Sequence, residues 1–172
     1  MFKSAHHALQ FAFRTINTPI VKMSSVNSMR GASGSGEMTP HDRHAQAAII
    51  LSIIEKAVDV NGLAYLKAHY GRELQGGEDQ HTVADVLVRV AMAAMPTGMH
   101  SRRGVEKLVR IYFGQDISMV SVRKDMGCGH PRANEYRDAV RKALNAIGDR
   151  ADYDVDAALR VACQVGDEAV AA

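Results

Sequence analysis

A close succession of helix start and stop signals between residues 118 and 147 constrains the fold more than any other part of the chain. Ser118 is a favourable N-cap because its hydroxyl can accept from the free backbone N–H groups of a first helical turn. Gly127 can take the left-handed conformation that often ends a helix. Pro131 suits the first turn of a second helix because no N–H bond is lost there. The segment therefore predicts two helices joined by a short turn.

Apolar residues recur at helical spacing along both predicted helices. Val122 and Met126 lie one turn apart on the first helix, and the second carries Ala133, Tyr136, Val140 and Leu144 or Ala143, with Cys128 in the turn. This spacing favours a small core shared by the two helices. We expect the second helix to run to about Ile147 and to stop at Gly148.

The polar positions of this helical pair indicate DNA binding. A helix-turn-helix places its second helix in the major groove, where Arg and Asn side chains pair with guanine and adenine edges. The predicted DNA-binding residues are Ser118, Arg123, Lys124, His130, Arg132, Asn134, Glu135, Arg137 and Arg141, together with Arg102 and Arg103. Arg132, Asn134 and Arg137 are expected to read bases, and Arg102, Arg103 and Lys124 to contact phosphates.

Arg123 departs from this pattern because most such units carry a small residue there, so its long side chain would have to reach outwards. A plain helical hairpin with a charged, solvated outer face explains the same residues without any nucleic acid. Both interpretations stay open at the level of the sequence.

The charge distribution favours a polyanionic partner. The net charge is +2, yet residues 1–36 contain four basic residues and no acid, and residues 101–150 contain eleven basic and six acidic residues. Residues 151–172 contain one basic and five acidic residues. The positive charge is thus concentrated on the amino-terminal segment and on the predicted helical pair.

The pattern along the rest of the chain predicts an all-α fold, a compact helical bundle that contains the helix-turn-helix. Residues 1–38 are interpreted as a flexible basic arm and linker, 39–150 as the helical domain, with the helix-turn-helix at 118–147, and 151–172 as an acidic helix or tail. Further helices are expected at 5–16, from Thr39-Pro40 to Asn61-Gly62, at 63–70, at 83–95 after Thr82, at 102–113 after Ser101, and from Asp152 or Asp154 to about Val165. The helix after Pro40 is apolar nearly all round, which predicts a central position.

Two family resemblances follow from residues 108–147. The run from Leu108 through Tyr112-Phe-Gly114 and Ser118 to Cys128, followed by Tyr136 to Leu144, resembles the promoter-reading domain of bacterial sigma factors. It also resembles the helix-turn-helix of phage late-gene antitermination proteins of the Q type. The resemblance implies a transcription regulator in the cytoplasm of a bacterium or phage-infected host, with double-stranded DNA and RNA polymerase as partners. A helical protein–protein interaction module or a dimeric repressor without polymerase is the alternative.

Enzymatic chemistry and a resident metal have little support in the sequence. Cys128 and His130 form one close ligand pair that His100 and Cys163 could join, whereas a structural zinc usually takes two close pairs. Gly31, Gly34 and Gly36 lack the Lys-Ser/Thr that completes a phosphate-binding loop. We expect no catalysis, no cofactor and no metal, and no apolar run is long enough to span a membrane. The first 36 residues also resemble an organelle transit peptide in composition, and this interpretation is left open beside that of a nucleic-acid arm or an unimportant leader.

Overall fold

The computed structural model describes residues 2–18, 38–76, 79–96 and 101–162. These residues form α-helices joined by short turns and contain no β-strand, so the predicted all-α fold is confirmed. The helices are α1 (Ala5–Ile16), α2 (Pro40–Ala57), α3 (Val60–His69), α4 (Gln80–Ala93), α5 (Arg102–Tyr112), α6 (Met119–Met126) and α7 (His130–Val161), with a 3-10 turn at Glu73–Gln75. No helix in this described part is long and apolar enough to cross a membrane.

The central element of the bundle is α7, which contacts each of the other six helices. It has 32 residues and is therefore about 48 Å long at 1.5 Å per residue. Its buried positions recur every three or four residues and form one continuous stripe: Ala133, Tyr136, Val140, Leu144, Gly148, Ala151, Val155 and Leu159. The long stripe explains the all-α architecture, because six helices can bury their apolar sides against a single axis.

The predicted helix stop at Gly148 was wrong, because α7 continues through this residue. A Cβ atom placed on Gly148 would lie 2.6 Å from Cζ and 2.7 Å from the hydroxyl oxygen of Tyr65 on α3. The glycine therefore allows a close approach between two helices and does not end one. A separate helix starting at Asp152 or Asp154 was wrong for the same reason, since Ala151 and Val155 continue the buried stripe of α7.

The predicted flexible arm was wrong for residues 5–16, although the helix expected there is confirmed. Ser4 caps α1 by accepting from His7 N–H, and Ala8, Leu9, Ala12 and Phe13 are buried against α2 and α7. Burial of this apolar side anchors the segment more firmly than its basic, acid-free composition suggested. The rest of the predicted arm, residues 19–37, lies outside the described residues.

The prediction that the first long helix is central was also wrong. Only Ala47, Ile50 and Ile54 of α2 are buried, and Ile49 is 50% exposed. The all-round apolar composition of α2 therefore did not indicate all-round burial. The start of α2 is as expected: Thr39 and Asp42 form a capping box, and Pro40 occupies the first turn between them.

The remaining helix bounds differ by a few residues from those predicted. The break after α2 falls at Asp59, whose carboxylate accepts from Gly62 N–H at 2.7 Å, so Asn61-Gly62 lies inside α3 and not between helices. Helix α4 begins at Gln80, before the expected cap Thr82. The expected cap of α5 is confirmed, since Ser101 accepts from Gly104 N–H at 3.4 Å.

Candidate nucleic-acid interface

The start and end signals of α6 act as the sequence indicates. The hydroxyl of Ser118 accepts from Val120 N–H at 3.2 Å. At the other end, Gly127 has φ +61° and ψ +33°, the left-handed conformation that turns the chain out of the helix. Val122 is fully buried between the neighbouring helices. Helix α6 is thus a short, firmly placed helix that ends in a three-residue turn before α7.

The amino terminus of α7 is exposed and has no side-chain cap. Gly129 occupies the N-cap position, and Pro131 lies in the first turn, as predicted. Both His130 and Pro131 are exposed. The first N–H groups of a helix have no intrahelical acceptor, and their partial positive charge attracts an anion such as a phosphate. This end of α7 is therefore available to an acidic ligand.

The core predicted for the helical pair is confirmed. Val122, Ala133, Tyr136, Val140 and Leu144 are each at most 5% exposed. Met126 and Cys128 are partly buried against the same core. These contacts fix which side of α7 faces solvent.

Four predicted residues form a row on α7 that borders its buried stripe, and we name it the basic row: His130, Asn134, Arg137 and Arg141. They are four, three and four residues apart, the spacing that places helical side chains next to each other. Asn134 Nδ2 and His130 Nδ1 lie 3.1 Å apart, and Arg137 Nε lies 3.7 Å from Asp138 Oδ1. Asn134 is partly buried, and the other three residues are exposed. The row therefore presents two long cationic side chains and an imidazole to solvent, with a partly buried amide between them.

The basic row continues onto α5 through a hydrogen-bonded pair that the sequence analysis missed. Asn145, one turn after Arg141, accepts from the Tyr112 hydroxyl at 2.7 Å. That hydroxyl lies 3.2 Å from the hydroxyl of Tyr65, whose pKa is raised mainly by burial. No sequence signal connects these three residues, which come from three different helices.

Arg132 and Glu135 are exposed but do not belong to the basic row, because they are two and one residues away from Asn134 and lie on another side of the helix. Arg132 Nε donates to the Tyr136 hydroxyl at 2.9 Å, and its guanidinium carbon lies 5.8 Å from the centre of that ring. This hydrogen bond raises the pKa of Arg132. Tyr136 thus holds the first arginine of α7 along the helix.

Arg123 does not reach outwards as the sequence analysis required. The residue is partly buried, and its Nε is buried with no hydrogen-bond partner among the described residues. A buried donor without an acceptor is costly, so this position does not resemble the exposed phosphate contacts of the prediction. Lys124, the next residue, is exposed as expected.

The predicted phosphate contacts on α5 are paired with carboxylates. Arg102 lies 2.5 Å from Asp85, and Arg103 lies 3.5 Å from Asp125 of α6. Lys107, which the sequence analysis did not single out, lies 2.6 Å from the same Asp125 oxygen and also donates to Ser121. The hydrogen bond from Lys107, aided by the nearby charges of Arg103 and Lys124, lowers the pKa of Asp125.

The described residues contain no group of three or more His, Cys, Asp or Glu side chains placed to hold a metal ion. Cys128 is a partly buried free thiol, while His100 and Cys163, which the sequence offered as further ligands, lie outside the described residues. No protein-family model matches the chain, and no curated protein matches its sequence. The resemblance to sigma factors and to Q-type antitermination proteins therefore stays a prediction.

Proposed function

We propose that this protein binds double-stranded DNA through α6 and α7 and regulates transcription. The observation that carries the proposal is the basic row, which exposes Arg137 and Arg141 next to the partly buried Asn134, along the edge of the buried stripe of α7. Arg and Asn are the side chains that read guanine and adenine in the major groove. A helix of this diameter fits that groove.

Two neighbouring features support the same binding mode. The uncapped, exposed amino terminus of α7 offers N–H groups to a DNA phosphate. Arg102, Arg103 and Lys124 on α5 and α6 provide further cations beside the helical pair. Arg102 forms an exposed ion pair with Asp85, and because such pairs are worth only about 0–1 kcal/mol, a phosphate can replace Asp85 at little cost. Arg103 is itself 79% exposed, while the largely buried Asp125 keeps Lys107 as its partner.

We further propose that the protein acts with bacterial RNA polymerase, as the resemblance to antitermination proteins implies. The outer side of α2 is mixed, but it exposes Ile49 next to Ala45 and Ala48, a small apolar surface that suits a contact with a protein partner. The same surface suits the second candidate function, a dimeric repressor or protein-interaction module. Co-purification with polymerase supports the first, whereas a stable dimer on a palindromic site without polymerase supports the second.

DNA binding is tested with a double variant and a matched control on the same helix. Arg137→Gln with Arg141→Gln removes two exposed charges of the basic row. Arg150→Gln removes an exposed charge from the other half of α7, where Asp154 lies 3.8 Å away. We expect the double variant to bind a mixed pool of bacterial promoter fragments more than about tenfold more weakly at low salt, because each lost base contact is worth about 1–3 kcal/mol.

The control variant is expected to bind like the unmodified protein. Loss of affinity to the same degree in Arg150→Gln would indicate only a general charge effect. If the unmodified protein fails to bind any duplex below tens of micromolar at low salt, where even non-specific binders associate, the proposal is wrong.

A further inference from the structure

A cavity of about 600 Å³ lies between α1 and the carboxyl end of α3, away from the residues assigned to DNA. Its side chains are mostly cationic or polar: His6, Gln10 and Arg14 from α1, and His69, Tyr70 and Arg72 from the end of α3 and the turn that follows. No carboxylate is among the described residues that line it. Such a lining favours an anion over a cation or an apolar molecule.

The two arginines of this cavity have no ion pair among the described residues, a property that Arg43, Arg89, Arg123, Arg132 and Arg141 share. Neither Arg14 nor Arg72 has an acidic partner among the described residues, whereas Arg102, Arg103, Arg110, Arg137, Arg150 and Arg160 each lie within 4 Å of a carboxylate. Arg72 also lines an adjoining cavity, and the carboxylates of Glu55, Glu73 and Asp79 belong to the wall of that second cavity. Two cations from separate elements thus converge on one hollow without a neutralising acid in its wall.

The position of Arg72 is costly for the backbone. Arg72 has φ +55°, and it is the only described residue other than glycine with a positive φ. Side chains with a Cβ atom are disfavoured in this conformation. The turn is held in place from α1, since the Asn17 side chain donates to the Gly71 carbonyl at 3.2 Å. The structure therefore keeps an arginine beside the cavity at a position where glycine would be less strained.

The cavity also has hydrogen-bonding groups and a flat wall. His6 Nδ1 lies 2.8 Å from the Tyr70 hydroxyl, and Gln10 Nε2 lies 2.7 Å from His6 Nε2. The Phe13 and Tyr70 rings stack with their centres 6.2 Å apart. Guanidinium groups together with neutral donors are the chemistry that recognises phosphate.

We propose that this cavity binds the phosphate group of a phosphorylated ligand, with Arg14 and Arg72 as the principal contacts. The phosphate can belong to a small organic phosphate or to a nucleic-acid strand, because both offer the same anionic oxygens. The proposal does not depend on DNA binding by α7.

The probes are inorganic pyrophosphate, adenosine monophosphate and a short single-stranded oligonucleotide, each titrated by NMR and calorimetry. The test variant combines Arg14→Gln with Arg72→Gly, because glycine removes the side chain and suits the left-handed backbone. Arg89→Gln, an exposed arginine of α4 that lines a different cavity, is the control. The single variant Arg72→Gly is measured separately to check the fold. A thermal unfolding midpoint no lower than that of the unmodified protein shows that this substitution leaves the fold intact.

We expect at least one probe to shift the signals of residues 6–18 and 69–72, and the double variant to weaken that binding by about tenfold or more, as the loss of charged hydrogen bonds predicts. Binding of pyrophosphate or the mononucleotide identifies a small-molecule site, and binding of the oligonucleotide alone identifies a strand. If no probe binds at millimolar concentration, or if the double variant binds like Arg89→Gln, the proposal is overturned. Unchanged pyrophosphate binding in the Arg137, Arg141 double variant separates this site from the DNA surface.

Discussion

The amino-terminal and carboxyl-terminal halves of α7 share one buried stripe but differ in the charge they present to solvent. Residues 130–145 contain four basic and two acidic side chains, whereas residues 146–161 contain two basic and four acidic ones. In the second half both arginines are near an aspartate one turn away, with Arg160 at 2.8 Å from Asp156 and Arg150 at 3.8 Å from Asp154. The first half leaves Arg141 without such a partner among the described residues.

This difference shows that burial and surface chemistry are separate properties of the helix. The buried stripe makes both halves part of one core, and it would do so with any polar outer side. The charge on the outer side decides which half can approach a polyanion. The acidic half would repel DNA, so the proposed interface ends where the sign of the charge changes.

The largest expected effects concern the shared core. Leu144→Ala in the first half and Leu159→Ala in the second each remove a fully buried side chain. Each should lower the free energy of unfolding by about 2–5 kcal/mol. Urea denaturation followed by circular dichroism measures this loss, and a single transition is expected for both variants. If Leu159→Ala leaves stability within about 0.5 kcal/mol, the acidic half does not belong to the core.

The next effect concerns the point where the two halves meet. Gly148→Ala places a methyl group against the buried ring of Tyr65, which is held by the Tyr112 hydroxyl. We expect a loss of about 1–3 kcal/mol, the usual cost of overpacking, although alanine alone would favour the helix by about 0.5–1 kcal/mol. Thermal and urea unfolding measure the balance. A stabilised Gly148→Ala protein would show that the close contact with α3 does not limit this position.

The smallest effect concerns the ion pairs beside each half. Asp125, near the basic half, accepts from Lys107, and its pKa is lowered by this hydrogen bond first and by the nearby cations second. A lowered folded-state pKa stabilises the protein at pH values above the ordinary aspartate pKa of about 3.9. That stability is lost as the pH falls through the lowered value. Asp125→Asn should therefore lower the unfolding midpoint at pH 7.

The difference between Asp125→Asn and the unmodified protein should shrink as the pH falls into the acidic range. Asp154→Asn is the matched control, since the one ion pair of Asp154 among the described residues is with Arg150 at 3.8 Å, and pairs one turn apart on a helix contribute about 0.3–0.5 kcal/mol. Unfolding midpoints from pH 2 to pH 8 check both variants. Equal effects of the two substitutions at every pH would contradict the assignment of Asp125 as a carboxylate held by two helices.

The sequence predicted the local parts of the candidate interface well. Ser118, Gly127 and Pro131 each act through backbone groups within one turn of themselves, and all three lie where the pattern places them. The buried side of the helical pair was also predictable, because apolar spacing reports the direction that each side chain takes from a helix. The pairing of Arg103 with Asp125 was not predictable from the sequence, since it joins two different helices, α5 and α6.

Errors occurred where a residue serves a distant contact. Gly148 resembles a helix stop in the sequence, yet its role is set by Tyr65, 83 positions earlier, which approaches α7 too closely for any side chain. The basic composition before residue 37 resembles a flexible arm, yet Leu9 and Phe13 bury α1 in the bundle. Composition alone does not reveal such docking.

By itself, the sequence determined the helical class, the caps of α2, α5 and α6, and the cationic character of the first half of α7. These properties depend on hydrogen bonds and spacings within about one helical turn. The tertiary structure decided that α7 is continuous and central, that α2 lies at the edge, and that Arg14 and Arg72 share one cavity. Those outcomes depend on contacts between residues that are far apart in the sequence. At such contacts, close packing overrides the local preference of a residue such as Gly148 to end a helix.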